Sequence, residues 1–284
     1  IYMIQEIINY FEVIPSLHRS FILVGGISLF WLLEGIFPLF KFNYKKWRHA
    51  IPNIFFTLTT VLINFILAFI LLKTSDWTIA NGFGILHWIP ETPLWLEVLL
   101  GVIFLDFIGA YLPHYVEHQI KPLWMIHLVH HSDHNVDTTT ANRHHPLESI
   151  VRFSFTLLGV FLLGTSIGII MLYQALSVVS SQFNHANIRL PKKIDLWISY
   201  LLVSPDMHKT HHHFRLPYTD KNYGNIFSIW DHLFKTSIKV DSMEEINYGI
   251  DTHMDKKETE DIKTMLMIPF QKYRPPVGAK FGKD

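Results

Sequence analysis

The sequence predicts an all-α polytopic membrane protein of about three full spans and one helical hairpin, topped by a histidine-rich helical cap. Three observations predict it. The apolar residues, 49% of the 284-residue chain, fall in long blocks. Only 17% of the residues are charged, against about 25% in a soluble domain. Of the 18 histidines, 13 lie between His114 and His213. Basic and acidic residues number 24 each, so no net field exists to hold nucleic acid. The absence of cysteine excludes disulfides, iron–sulfur clusters, Cys-ligated zinc and thiol nucleophiles together.

Taken in order, Ile1 to Phe11 reads as a short surface helix. The chain opens without an initiator Met, so residues upstream of Ile1 are expected. A span needs ~20 apolar residues at 1.5 Å rise per residue. Phe21 to Phe40 fits with one acid, Glu34, and is too long for a cleavable signal. Ile54 to Leu72 carries no charge and is closed by Lys73. Leu94 to Leu112 fits but contains Glu97 and Asp106. An acid in a span faces the protein interior or a polar cavity; Asp106 either serves the histidine cluster two turns on or bonds a neighbouring helix. Phe153 to Ser180 runs 28 residues without a charge, too long for one crossing. Gly164 to Gly168 is its natural break, giving a hairpin that returns to the face it left. Leu196 to Val203 is too short to span and is expected in the interface or against the cap.

Lys41, Lys45, Lys46 and Arg48 follow the first span, whereas only Lys73 follows the second. By the positive-inside rule the basic loop is cytosolic. The N-terminus then lies outside, and the chain emerges at His114 on the cytosolic side of a bacterial inner membrane or endoplasmic reticulum. No repeat or linker separates domains. Residues 1–93 form N-terminal membrane helices, 94–240 the catalytic region and 241–284 a cytosolic tail, all in one structural unit.

The histidines form three boxes. His114 to His118 reads HxxxH, His127 to His131 reads HxxHH, and His208 to His212 reads HxxHH again. On a helix, positions i, i+3 and i+4 share a face. Ser204 followed by Pro205 reads as an N-cap with Pro at N1, placing the third box in the first two turns of one helix. Eight imidazoles exceed the needs of one metal, so the cap is expected to hold a dimetal site. All-nitrogen ligation favours iron, copper or zinc over magnesium or calcium. None of the eleven glutamates has a histidine three residues on, unlike the carboxylate-bridged sites of ferritin-like bundles. His134, seven residues after His127 on the same helical face, and His144 and His213, each beside a better-placed histidine, stand as secondary candidates. His18, His49, His87, His232 and His253 are scattered and read as ordinary. A site that included His145 and His185 would need residues 153–180 to begin and end on one face, as the hairpin provides.

In these motifs the chain resembles the fatty acid hydroxylase / sterol desaturase superfamily of integral membrane non-haem di-iron enzymes. The three boxes occur in its order, with a short first gap and a long second one. Similar too are Arg143 to Glu148, Phe183 to Asn187, Ser204 to His208, Asn222 to Asn225 and Trp230 to Phe234. The resemblance covers roughly Leu94 to Thr236. His144 stands where an aromatic residue is common, and Lys235 replaces a usual glycine.

The resemblance implies that His114, His118, His127, His130, His131, His208, His211 and His212 bind two irons, with His185 and, less surely, His145 completing the set. Asp106, Asp133, Asn187, Asp206 and Asp231 are candidates, from proximity in sequence, to bond the far nitrogens of these ligands. The implied activity is an O₂-dependent attack on a C–H bond of a lipid. Hydroxylation is favoured as the simplest outcome; desaturation of a sterol or other lipid and ether-lipid monooxygenation are the alternatives. Two electrons are needed per turnover. No dinucleotide GxGxxG, rubredoxin-type cysteine set or fused haem domain is evident, so a separate donor of cytochrome b5, ferredoxin or reductase type is expected on the cytosolic face.

Two rival readings remain. His114 to His118 also reads HxxEH, an inverted zinc-peptidase motif with Glu117 as base, which leaves both HxxHH boxes unexplained. A non-enzymatic membrane metal or haem protein would carry its histidines inside the spans, and neither Phe21 to Phe40 nor Ile54 to Leu72 contains one.

Overall fold

The computed structural model describes residues 2–41 and 43–282; Ile1, Phe42, Lys283 and Asp284 lie outside the described residues. Helices follow one another almost without pause: α1 (Tyr2–Glu12), α2 (Ser16–Ile36), α3 (Lys46–Ala80), α4 (Ile85–Trp88) and α5 (Leu94–Asp106). A wide π-helical turn, Phe107–Tyr111, joins α5 directly to α6 (Leu112–Gln119). Then come α7 (Lys121–His131), α8 (Pro146–Leu163), α9 (Ile167–His185), α10 (Lys192–Ile198) and α11 (Pro205–His211). Short helices α12 (Ile229–Leu233), α13 (Lys256–Glu260) and α14 (Ile262–Met267) close the chain. No β-strand occurs among the described residues, only isolated bridges.

Four helical segments are long and apolar enough to cross a membrane: Ser16–Ile36, Lys46–Trp88, Leu94–Gln119 and Pro146–Leu163. The protein is a multi-pass membrane protein. Its outer faces carry Phe65, Ile66 and Phe69 exposed in a row, a surface that only hydrocarbon solvates without penalty. Inside, Leu71, Leu105, Val160, Leu163 and Ile170 form the membrane-level core.

Helix α3 departs most from the sequence expectation. Its 35 residues extend about 52 Å at 1.5 Å per residue, beyond the ~30 Å of hydrocarbon. The extra turns are fixed by contacts with the cap. His49 Nε2 lies 2.8 Å from Asp133 Oδ1, and Asn53 donates to Thr139 Oγ1 at 2.9 Å. The basic segment after the first span is therefore partly helix, and its Lys46 donates to Glu34 Oε2 at 2.8 Å. Glu34 is fully buried and also accepts the Thr138 and Asn187 N–H groups. That pairing explains an acid inside the first span.

The hairpin forms where the sequence breaks. Gly164 ends α8 with φ 73°, its N–H donating to Val160 O, a left-handed cap that glycine adopts without steric penalty. A Cβ at Gly164 would fall 2.2 Å from Phe83 O, so the turn also packs against the loop before α4. Helix α1 meets α9 at the same end, with Ile8 over Gly168. The opposite end collects α6, α7, the last turn of α9 and α11. The third span continues unbroken to Gln119, so the first box sits on the spanning helix itself. Beyond it, Met265 and Ile268 pack against Trp124, Met125, Leu128 and Val129 of α7, joining the C-terminal segment to the cap's own core.

Candidate metal centre

Local structure aims the imidazoles. A π turn, which recurs at functional sites, ends at Tyr111, three residues before His114. Pro113 follows that turn within the continuous helix, and Pro205 starts α11 at a position that needs no N–H donor. Ser204 Oγ accepts the Met207 N–H at 3.3 Å and caps α11 as its sequence leads one to expect.

Two groups of buried histidines result. His114, His118, His127, His131 and His211 form the first; His130, His185, His208 and His212 form the second. Within each, one nitrogen per residue lies within 4.8 Å of all the others. The groups adjoin, with the His131 and His212 rings stacked at 4.7 Å. The two HxxHH boxes divide in opposite senses. In α7, the outer pair His127 and His131 joins the first group while His130 joins the second. At α11 the outer pair His208 and His212 joins the second group while His211 joins the first. Helix geometry accounts for the split: at 3.6 residues per turn, i and i+4 point roughly 40° apart, whereas i+3 points roughly 60° to the other side.

Hydrogen bonds fix which nitrogen faces inward. A carbonyl oxygen only accepts, so His114 Nδ1 donates to Tyr223 O at 2.8 Å, His211 Nδ1 to Lys221 O at 2.6 Å, and His185 Nδ1 to Ser181 O at 2.7 Å. His118 Nδ1 donates to Asp220 Oδ1 at 3.1 Å. Burial raises the Asp220 pKa, but the His118 bond and then the Lys280 ammonium outweigh it and hold the carboxyl below its usual range. His127 Nδ1 lies 2.8 Å from Glu148 Oε1. With hydrogen placed on Nδ1, each Nε2 presents a bare lone pair inward.

Those lone pairs fit a cation. The Nε2 atoms of His114, His118 and His211 are buried with no hydrogen-bond partner among the described residues. In the second group, His185 Nε2 is approached by the Nε2 atoms of His130, His208 and His212 at 3.2, 3.0 and 3.2 Å. One lone pair cannot accept three donors at once. Buried acceptors left facing one another are costly, and a divalent cation in each group relieves the conflict. Burial first, and then neighbouring imidazoles, hold His127, His130, His131, His208 and His212 well below the usual histidine range. They are neutral at pH 7, the form that binds metal, and an all-imidazole set suits a transition metal.

A model of the family described as fatty acid hydroxylase matches residues 98–236, the stretch that supplies all nine of these histidines. Residues 98–236 belong to the fatty acid hydroxylase family. An ornithine lipid hydroxylase, OlsE, of Rhizobium tropici is 27% identical over 150 residues, 52% of this chain and 44% of that protein. Alkylglycerol monooxygenases of Caenorhabditis elegans and Homo sapiens are 29% identical over 136 residues and 28% over 160, covering 47% and 56% of this chain. The matches span 25% and 33% of those two proteins, so the chain covers less than half the length of each of these relatives. No solved structure matches.

Within this fatty acid hydroxylase region, the residues named from sequence proximity to orient the ligands are placed elsewhere. Asp106 accepts from the Ile226 and Phe227 N–H groups and from Trp230 Nε1. Asp133 binds His49 and Thr140, Asn187 binds the Phe40 backbone, and the Asp206 N–H donates to Asp195. None of these four bonds an imidazole of either group. Asp231 acts at one remove: it accepts the Tyr223 and Gly224 N–H groups, and the Tyr223 carbonyl holds His114. His145 also lies outside both groups. It caps α8, Nδ1 accepting the Leu147 N–H, and its Nε2 lies 3.3 Å from Leu266 O. His144 stays close, its ring 5.0 Å from that of His130. His134 bonds His253 O, and His213 accepts the Asn247 N–H.

The orienting groups that the structure does show are Asp220, Glu148 and the carbonyls of Tyr223, Lys221 and Ser181. Glu148 also accepts from Arg152 Nε at 2.9 Å, and Arg152 Nη2 donates to Glu117 Oε2 at 2.7 Å. His49 is another residue that sequence reasoning passed over: Nε2 contacts Asp133, and Nδ1 lies 3.1 Å from Asp137 Oδ2.

Proposed function

We propose that the protein is a di-iron membrane oxygenase that inserts one atom of O₂ into a C–H bond of a lipid. His114, His118, His127, His131 and His211 hold one iron, and His130, His185, His208 and His212 hold the other. The observation that carries this reading is the pair of adjoining, buried, neutral imidazole groups at one end of the membrane helices. The reaction balances as R–H + O₂ + 2 e⁻ + 2 H⁺ → R–OH + H₂O. Iron bound at these residues supplies the activation of O₂. The chain itself fixes the imidazole tautomers through its carbonyls and carboxylates, and it buries the site from bulk water.

The electrons come from a separate donor protein of cytochrome b5, ferredoxin or reductase type. The basic segment Lys41 to Arg48 supports a cytosolic placement of the histidine end, in a bacterial inner membrane or endoplasmic reticulum. Ornithine lipid hydroxylase and alkylglycerol monooxygenase are both named for single oxygenations of lipids, which supports hydroxylation over desaturation.

Lipid mass spectrometry of cells with and without the gene tests the activity. A lipid gaining one oxygen atom, absent from cells carrying His130→Ala, is the expected result. Full product formation in the His130→Ala cells contradicts the ligand assignment.

A further inference from the structure

A cavity of about 250 Å³ lies against both histidine groups, touching His114 and His130 as well as His185 and His208. Its remaining lining is unlike a hydrocarbon channel. Only Ala110, Ala141, Phe153 and Val178 offer purely hydrocarbon side chains. Four primary amides line it; that of Asn225 donates to Ser177, whereas those of Asn64, Asn142 and Gln174 have no hydrogen-bond partner among the described residues. Asn64 interrupts the lipid-facing row of α3, flanked by exposed Leu62, Phe65 and Ile66. A polar side chain at such a place marks a binding path rather than packing. On α9, Gln174 is followed by Ser177 and Ser181 at helical spacing, all facing the same space.

An alkyl chain laid across these amides would leave their donors and acceptors unpaired. The cavity also offers no free charge. Arg152 is the single Asp, Glu, Lys or Arg in its lining, and it is already paired with Glu117 and Glu148.

We infer that Asn64, Asn142 and Gln174 form a binding subsite for an uncharged hydrogen-bonding group of an amphiphile, a hydroxyl, ether or amide. The carbon facing the histidines then lies within a few bonds of that group rather than in mid-chain. The inference rests on the oxygenase reading for its reaction, and on the cavity alone for its ligand class.

The test uses the full chain in detergent, first metal-free, with hexadecylglycerol ether, hexadecane and hexadecyl phosphate as probes, binding being read by native mass spectrometry. The ether is expected to bind at least tenfold more tightly than the other two. Gln174→Leu and Asn142→Leu should each weaken it about five- to tenfold, a lost hydrogen bond being of that order. Unchanged iron uptake in the same variants shows that the fold holds. Equal binding of hexadecane, tightest binding of the phosphate, or no effect of either variant overturns the subsite. Iron-loaded protein with reductant then locates the oxygen by fragmentation of the product. Oxygen next to the polar group is expected, and oxygen in mid-chain overturns the inference while leaving the oxygenase intact. Ether binding as described with no oxygenation of any lipid contradicts the oxygenase instead.

Discussion

The two histidine groups draw on one residue type yet are held in different ways. In the first, four of five far nitrogens are engaged: His118 by Asp220, His127 by Glu148, His114 by the Tyr223 carbonyl and His211 by the Lys221 carbonyl. In the second, only His185 is so held, by the Ser181 carbonyl. The Nδ1 atoms of His130, His208 and His212 are buried with no partner among the described residues. Partners of this kind orient a ligand and raise its basicity. The first group is thus preorganised by the protein itself, whereas on the di-iron reading proposed above the second would take its order mainly from the ion. One chain can in this way hold one metal firmly and leave its neighbour more easily exchanged.

The largest effects break a group outright. His211→Ala removes a ligand from the first and His130→Ala one from the second. Each variant is expected to lose one iron per chain by elemental analysis and to drop product formation to background. Full iron and full turnover in either variant contradict the assignment.

The next effect sharpens the contrast. Asp220→Ala frees the far nitrogen of His118 and should weaken metal binding in the first group by about 10- to 100-fold. Metal titration of the stripped protein would show this as loss of its tighter phase, and an unchanged tight phase means that Asp220 does not orient the site. In the wild type, a graded chelator should remove iron in two steps, the second group emptying first. Single-step release would erase the distinction drawn here.

A smaller effect comes from protons. The folded, metal-free chain keeps His130, His131, His208 and His212 neutral well below the ordinary value of 6.5. The unfolded chain takes up those protons as pH falls through about 6.5, so it binds more protons than the folded one and stability falls with pH. The Tm of the metal-free protein should decline progressively from pH 6.5 to 5, and a flat profile contradicts the burial argument. His253→Ala, outside both groups, should change neither iron content nor turnover.

Much of this was legible in the sequence because it is periodic or local. The apolar blocks gave the spans, Gly164 the hairpin, and the spacing of three and four residues the shared faces of His127 to His131 and His208 to His212. The division of the two HxxHH boxes between the groups, which the shared-face reading did not foresee, follows from the roughly 100° that separates i+3 from i+4. What stayed hidden depends on contacts between distant residues. Asp220 meets His118 across 102 positions, and Glu148 meets His127 across 21, so nearness in sequence pointed instead to Asp106, Asp133 and Asp206. The extra turns of α3 escaped for the same reason, since His49 and Asn53 are held by residues more than eighty positions away.

The iron content of the full-length protein, purified from iron-replete cells, tests the central claim most directly. Two irons per chain is the predicted result. A single metal per chain, or zinc retained whatever the iron supply, would contradict it.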